Sequence, residues 1–414
     1  MITNITNSNK KISPFGGLFF VINDLKNKGI AKIIDSHLGK RVKQAKYSYS
    51  DILLNWAYCN LCGAERLEDI EKLRDSLDMK LPSHDALGTV MKSFAMPTDF
   101  IESIGSTGKT TIHQFSLHNP LNKLMIDTSL KLGLLNKKKP YILDYDNTII
   151  EHQKCDKKLT YKMIKGYQPG VCFINKVPVY IENHNGNSNA SYRIAETVGR
   201  SLELLKQAGI KIKKFRSDSA AYVISMFKLM DANRIDFFIR ARQISEKTLQ
   251  KNIDYRAWKP IQIKGRLYDT QSIEYSPALS DKKYRLVIYK TERKDIVKYL
   301  SIITSNWEMT ELDIIKFYNQ RGAIERNFDD LKNNFNWHHL PFSFLNENTV
   351  FMIISAIVSI IYQYLIRKFS KKVDFVKINH RLKNFIYHFI TCSAILEDGQ
   401  IQMFTERNYR PLME

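Results

Sequence analysis

The chain has 414 residues, of which 44% are hydrophobic and 11% aromatic; this composition excludes a generally disordered protein, and the length predicts two or three domains. The formal net charge is +21, a surplus that repels itself and favours a polyanionic partner such as DNA, RNA or an anionic membrane. The alternative origin of this charge is an AT-rich genome, which raises lysine usage without any such partner.

The cysteines and the amino terminus indicate a reducing compartment. Residues 1–11 are polar and lack the apolar segment of a secretion signal. The five cysteines are scattered and odd in number, which favours reduced thiols in a cytoplasm. Cys59 and Cys62 form an isolated C-x-x-C in an apolar stretch, so buried helix thiols are favoured over a zinc site.

Residues 1–136 predict a mostly helical amino-terminal region. Apolar residues recur at helical spacing over 49–62 and 67–77. Pro82 then breaks the pattern, and Ser83 is a suitable N-cap for a further helix ending near Phe94. Short helices around a turn fit a helix-turn-helix, but they fit any small bundle equally well.

From residue 137 the pattern changes to alternating strands and helices. A hairpin is expected at 171–182, and helices are expected at 190–208, ended by Gly209, and at 219–230. The predicted strands are 141–145, 171–174, 177–182, 210–216 and 235–241. The predicted order is three strands, a helix, a strand, a helix and a strand. This is the order of an RNase H-like domain, a mixed α+β fold with helices on the faces of its sheet.

The remaining chain predicts a strand-rich insertion followed by helices. Helical spacing disappears between 248 and 305, where 261–268, 272–275, 284–289 and 299–304 alternate like antiparallel strands. Thr310, with Asp313 three residues later, is expected to cap a long helix. The apolar segment 350–366 resembles a membrane span, but it is short and carries polar residues every fourth position, which favours a core helix.

Two aspartates are expected at the ends of strands. Asp146 follows the strand 141–145, and Asp218 follows the strand 210–216. Carboxylates at neighbouring strand ends suit a hard cation such as Mg²⁺, which prefers oxygen ligands and keeps several waters. The structural alternative is that each aspartate only caps the turn or helix that follows it.

A third set of polar residues lies within the segment 314–335. Tyr318, Arg321, Glu325 and Lys332 would fall within an arc of about 60° on one continuous α-helix. A carboxylate can bind metal, and arginine and lysine can hold phosphates. The alternative is an ordinary solvated face with ion pairs between successive turns.

These residues resemble a known family. Tyr-x2-Arg-x3-Glu-x6-Lys at Tyr318, Arg321, Glu325 and Lys332 matches the YREK signature of bacterial insertion-sequence transposases of the DDE class. The segments Arg216-Ser217-Asp218-Ser219 and Asp146-Asn147-Thr148 resemble the surroundings of that family's two aspartates, and the strand-rich segment resembles its insertion domain. The resemblance covers roughly residues 140–370.

The resemblance implies a role for each matching residue. Asp146, Asp218 and Glu325 would bind two Mg²⁺ ions, with Mn²⁺ as a substitute, and Tyr318, Arg321 and Lys332 would contact DNA phosphates. Asp144 lies on the same side of its strand as Asp146, so it is either a group supporting the site or the true first ligand. The chemistry would be two-metal phosphoryl transfer by direct attack, without a covalent enzyme intermediate.

The implied function is cut-and-paste transposition in a bacterial cytoplasm. The protein would bind the terminal inverted repeats of an insertion sequence as a homodimer, cleave there, and join the ends to target DNA, with no membrane involved. The expected regions are a helical DNA-end-binding part (1–136), the catalytic domain (137–247 and 306–375), its β-rich insertion (248–305) and a carboxyl-terminal tail (376–414). The rival functions are an RNase H-fold nuclease without transposition and a domesticated DNA-binding protein.

Overall fold

A computed structural model of the protein describes residues 12–77, 79–105, 108–241, 253–254, 256–293, 296–397 and 399–413. Its amino-terminal part contains six helices, and their bounds are α1 Gly16–Lys28, α2 Ile30–Leu38, α3 Tyr49–Leu61, α4 Ile70–Ser76, α5 His84–Ser93 and α6 Asn119–Lys131. The predicted cap of α5 is confirmed, since the Ser83 hydroxyl accepts a hydrogen bond from the Ala86 N–H at 3.3 Å. Cys59 is buried in α3, and all five cysteines are free thiols.

A β-hairpin interrupts this part, for which the sequence predicts a mostly helical region up to residue 136. Strands β1 (Asp99–Ile104) and β2 (Thr110–Ser116) pair antiparallel, and β2 continues into the central sheet by pairing with His184. The sequence gives no clear signal of the hairpin, because the hairpin is partly exposed and lacks strict apolar alternation. Thr110, Thr111 and Ile112 do carry the β-branched composition of a strand.

The central part of the chain forms the core of one mixed sheet. The elements of this part, in chain order, are β3 Pro140–Asn147, β4 Ile150–Glu151, β5 Lys158–Leu159, β6 Lys165–Tyr167, β7 Gly170–Ile174, β8 Val177–His184, α7 Ile194–Gln207, β9 Lys211–Ser217, α8 Ile224–Ala232 and β10 Asp236–Arg240. Strands β4, β5 and β6 form a separate small sheet. Five of these strands lie in the order β8-β7-β3-β9-β10. Strands β3, β9 and β10 are parallel to one another; β7 is antiparallel to its two neighbours, β3 and β8, so β8 runs in the same direction as β3. This is the topology of an RNase H-like fold, as predicted.

The strand-rich insertion extends the same sheet beyond β10. Its strands are β11 Lys259–Ile263, β12 Arg266–Tyr275, β13 Tyr284–Arg293 and β14 Ile296–Thr304. Strand β14 pairs antiparallel with β10, and within the described residues the sheet has eleven strands. The predicted single strand 261–268 is divided by a turn in which Lys264 and Gly265 both have positive φ, 49° and 77°. Two consecutive positive φ values are typical of the tight turn that joins antiparallel strands.

The carboxyl-terminal part returns to helices. Its elements are α9 Glu311–Asn319, α10 Ala323–Asn333, α11 Leu345–Phe369, α12 Leu382–Phe385, β15 Ser393–Glu397 and β16 Gln400–Phe404. Thr310 caps α9 as predicted, accepting from the Asp313 N–H at 3.2 Å. The last hairpin contacts the start of the chain, where the Ser13 N–H donates to the Ala394 carbonyl at 2.8 Å. The segment 376–414 therefore packs against the amino-terminal helices.

Helix α11 is the apolar segment that resembled a membrane span. It has 25 residues and a mean hydropathy of 2.1 in its most apolar stretch, 94% of which is buried inside the protein. It packs against α3, α6 and strand β8, and the buried Trp337 donates from its indole nitrogen to the Met352 carbonyl at 3.2 Å. Because protein surrounds the helix on all sides, the prediction of a core helix is confirmed.

Candidate active site

The parallel strands β3 and β9 place two carboxylates at the same edge of the sheet. Tyr145 lies opposite Ser217 in the register, so the next positions on the two strands are Asp146 and Asp218. The two side chains interact electrostatically. Asp218 also caps the short 3₁₀ turn that follows it, accepting from the Ala220 N–H at 2.9 Å. The capping role considered from the sequence is thus present, and it occupies one carboxylate oxygen.

Asp146 is partly buried and lies between the like charge of Asp218 and the opposite charge of Arg321. One of its oxygens accepts from the Asn147 N–H at 2.9 Å, and the other accepts from Nη1 of Arg321 at 2.9 Å. Burial, together with the negative charge of Asp218, raises the pKa of Asp146 to about 6, although Arg321 and the Asn147 N–H oppose this shift. The repulsion between the two carboxylates, which raises the pKa of Asp146, is relieved when a cation binds between them.

Asp144 is engaged elsewhere, in a buried ion pair. Its two oxygens accept from Nε and Nη2 of Arg216, both at 2.7 Å, and both side chains are less than 10% exposed. The remaining nitrogen, Nη1 of Arg216, donates to the Phe317 carbonyl at 2.7 Å. The geometry therefore favours Asp146 over Asp144 as the first metal ligand, and it gives Asp144 the role of holding Arg216 and, through it, helix α9.

The segment with the four matching residues is not one straight α-helix. A 3₁₀ turn at Gln320–Gly322 separates α9 from α10. Three residues at 3₁₀ pitch turn the following helix by about 60° relative to an uninterrupted α-helix. Tyr318 and Arg321 lie beside the carboxylates and Glu325 is exposed, so the single shared face of the four residues stays a prediction.

The residues at this edge form a compact charged cluster that includes one residue missed from the sequence. Burial raises the pKa of Tyr318, and Arg321 and Arg240 oppose that shift. Arg240 ends strand β10, next to β9, and Nη1 of Arg240 donates to the Tyr289 hydroxyl at 3.2 Å. Its signal in the sequence is a charged residue at the end of a buried strand, which is weaker than the pattern of paired carboxylates.

Lys332 and Glu325 lie on helix α10, beyond the 3₁₀ turn. Lys332 is half-buried and donates to the Ile149 carbonyl at 2.9 Å. Burial and the nearby Lys162 lower the pKa of Lys332. Within the described ranges, no group of three or more His, Cys, Asp or Glu side chains is close enough to hold a metal ion. The structure thus brings together Asp146, Asp218, Arg321 and Tyr318; Lys332 contacts the backbone three residues after Asp146, and Glu325 is exposed.

The two strand-end carboxylates nevertheless fit a magnesium site. Mg²⁺ binds hard oxygen ligands and is often held by only one or two carboxylates together with substrate phosphates and waters. Asp146 and Asp218 supply such oxygens at adjacent positions, and their mutual repulsion is relieved by a divalent cation. The fold and this site define an RNase H-like protein with paired acidic residues at the ends of its central parallel strands.

Comparison with known proteins gives the family. The family model for the transposase DDE domain, group 1, matches residues 4–383, and the chain belongs to this family. Its members are enzymes that act on DNA and generally use divalent metals. No curated protein matches the chain. The cryo-EM structure of a piggyBac transposase synaptic complex with hairpin DNA is similar, with a TM-score of 0.45 and 13% identity over 92% of this chain and 80% of that chain.

Two buried histidines near the site predict a pH dependence of stability. Burial lowers the pKa of both His152 and His184 from 6.5 to about 4, and Lys154 and Lys157 add to the effect on His152. Between pH 6.5 and 4 the unfolded chain binds more protons than the folded protein. The free energy of unfolding therefore decreases as the pH falls below 6.5, by roughly 3 kcal/mol per imidazole at most.

Urea unfolding at pH 7.5 and pH 4.5 measures this loss. His184→Gln is expected to show a smaller difference between the two pH values than the unmodified protein. The matched control is His339→Gln, because His339 is exposed and its replacement should leave the difference unchanged. An equal pH dependence in the His184 variant would contradict the assignment of His184 as a buried neutral group.

Proposed function

We propose that this protein is a transposase that binds the terminal inverted repeats of an insertion sequence and catalyses Mg²⁺-dependent DNA cleavage and strand transfer. The observation that carries the proposal is the position of Asp146 and Asp218 at adjacent strand ends of an RNase H-like sheet, in a chain of the DDE family. The net charge of +21 supports a DNA partner. We further propose that the protein acts as a homodimer on both element ends, uses target DNA as its second substrate and is located in the cytoplasm.

The proposed metal ligands are Asp146, Asp218 and Glu325. When bound, Mg²⁺ supplies an activated water or 3′-hydroxyl and stabilises the leaving oxygen, and Mn²⁺ can replace it. Asp146 and Asp218 would hold the metal against the scissile phosphodiester at the sheet edge, and Arg321 and Tyr318 lie beside them to contact neighbouring phosphates. In this proposal Glu325 joins the site once DNA is bound, and Lys332 contacts the DNA backbone.

The proposed domains follow the same assignment. Residues 1–136 would bind the element end, 137–247 and 306–375 would carry the chemistry, 248–305 would support the DNA near the cut, and 376–414 would form the tail. The alternation of strands and helices in the central part supports the catalytic assignment. DNA-binding assays on full-length variants altered in one region at a time test this division.

A direct assay tests the proposal and the role of Glu325. Purified full-length protein with Mg²⁺ is expected to nick duplex DNA that carries the terminal repeats flanking its coding sequence. Glu325→Gln should lower the rate at least about 100-fold, because a lost metal ligand removes several kcal/mol of charge stabilisation. The matched control is Glu308→Gln, which alters an exposed glutamate before α9 and should leave the rate unchanged.

One observation favours a second candidate, a DNA-binding protein that no longer cleaves. Glu325 is exposed, and the described residues hold no three-acid cluster. Under this alternative the protein binds the repeats with or without Mg²⁺, never nicks them, and Glu325→Gln changes nothing. Joining of cut ends to a target plasmid further separates a transposase from a nuclease of the same fold.

A further inference from the structure

The positively charged side chain of Arg321 lies beside the carboxylates of Asp146 and Asp218. Its Nη1 donates to Asp146 at 2.9 Å, and both side chains are less than 20% exposed. Asp146, Tyr318 and Asp218 hold the pKa of Arg321 above its usual value, although burial opposes this. The guanidinium is therefore the positive charge that balances the two carboxylates in the metal-free protein.

We propose that Arg321 is a removable counter-ion, which divalent metal displaces from Asp146 and which then binds a DNA phosphate. This inference rests on the proposed function, since it takes Asp146 and Asp218 as metal ligands. One Asp146 oxygen accepts from the Asn147 N–H and the other accepts from Arg321, so a metal that binds this carboxylate competes with Arg321 for it. A released guanidinium is well suited to phosphate, which it can hold with two parallel hydrogen bonds.

The local structure allows the exchange without disturbing the core. Arg321 lies in the 3₁₀ turn between α9 and α10, and a 3₁₀ turn within a helical run is a common site of rearrangement. The adjacent Gly322 faces open space, with no atom within 4 Å of a Cβ placed there. The flanking helices stay fixed by buried residues, Ile315 in α9 and Phe328 in α10.

Competition of this kind makes metal and DNA bind cooperatively. Metal at Asp146 frees Arg321 for DNA, and DNA that holds Arg321 frees Asp146 for metal. Because such coupling is reciprocal, each ligand must raise the affinity for the other by the same factor, typically about 5- to 150-fold. The arrangement would keep the uncut site closed to metal until an element end is in place.

Mn²⁺ binding to the full-length protein tests the inference without an activity assay. The paramagnetic resonance signal of the free ion measures how much Mn²⁺ remains unbound. Without DNA, Arg321→Ala should bind Mn²⁺ about 10-fold more tightly than the unmodified protein. Saturating duplex DNA should tighten Mn²⁺ binding about 10-fold in the unmodified protein and clearly less in Arg321→Ala. Arg321→Lys, which keeps the charge with a less rigid donor, should lie between them.

Two further variants separate the possible failures. Arg326→Ala removes an exposed arginine from the adjacent helix α10, so it should behave as the unmodified protein and exclude a general charge effect. Asp218→Asn should weaken Mn²⁺ binding. If Arg321→Ala binds Mn²⁺ no more tightly than the unmodified protein while Asp218→Asn binds it weakly, the inference is overturned and the metal site stands. If Asp218→Asn has no effect, the metal site and the inference both fail.

Discussion

Replacement of Asp218 by asparagine is expected to lower Mg²⁺-dependent DNA cleavage about 10³-fold while the protein remains folded. Asparagine keeps the oxygen that accepts from the Ala220 N–H, so the cap of the following 3₁₀ turn is preserved. It removes the negative charge that a divalent ion needs. In the absence of metal it also relieves the repulsion with Asp146, so the free energy of unfolding should not decrease.

Single-turnover nicking of terminal-repeat DNA measures the first effect, and urea unfolding in EDTA measures the second. Asp281→Asn provides the matched control, because it makes the same chemical change at an exposed aspartate in the insertion. Cleavage at the unmodified rate by the Asp218 variant would show that the strand-end carboxylates do not carry the chemistry.

The second large effect concerns stability and the ion pair between Asp144 and Arg216. Asp144→Ala is expected to lower the free energy of unfolding by about 3–5 kcal/mol, because it leaves a buried guanidinium without its carboxylate. It should also loosen α9, since Arg216 holds the Phe317 carbonyl. Equilibrium unfolding in urea, monitored by tryptophan fluorescence, gives the value.

A double variant separates this structural role from metal binding. Asp144→Leu combined with Arg216→Met replaces the pair by apolar groups of similar size, and most of the lost stability should return. If Asp144 were the metal ligand, the double variant would stay inactive despite its recovered stability. Recovery of both stability and Mn²⁺ binding is the expected result, and recovery of stability alone would favour Asp144 as the ligand.

The sheet and its two acidic residues could be predicted because their signals are local. Alternating apolar residues give the strands, Gly209 ends α7 with a φ of 76°, and Thr310 caps α9. Strand order then places Asp146 beside Asp218, since parallel neighbours end at the same edge. The long apolar helix α11 could be recognised as a core helix by its regularly spaced polar residues.

Features that depend on distant partners could not be predicted. The break at Gln320–Gly322 coincides with Arg216, whose side chain takes the Phe317 carbonyl that a continuous α-helix would offer to the Arg321 N–H. Gly322 was the one local sign of a break, because glycine is a poor helix former. The pairing of Arg321 with Asp146, 175 residues away along the chain, has no signal in the spacing of residues.

Substitution of Mg²⁺ by Fe²⁺ in the protein–DNA complex gives the most direct test of the central claim. Hydroxyl radicals formed at bound Fe²⁺ cut the polypeptide near its metal ligands, and the fragments can be mapped by mass. We expect cuts next to Asp146, Asp218 and Glu325 when terminal-repeat DNA is present, and their loss in Asp218→Asn. Cuts that miss Asp146 and Asp218, or that spare Glu325 while DNA is being cleaved, would contradict a site built from these three acids.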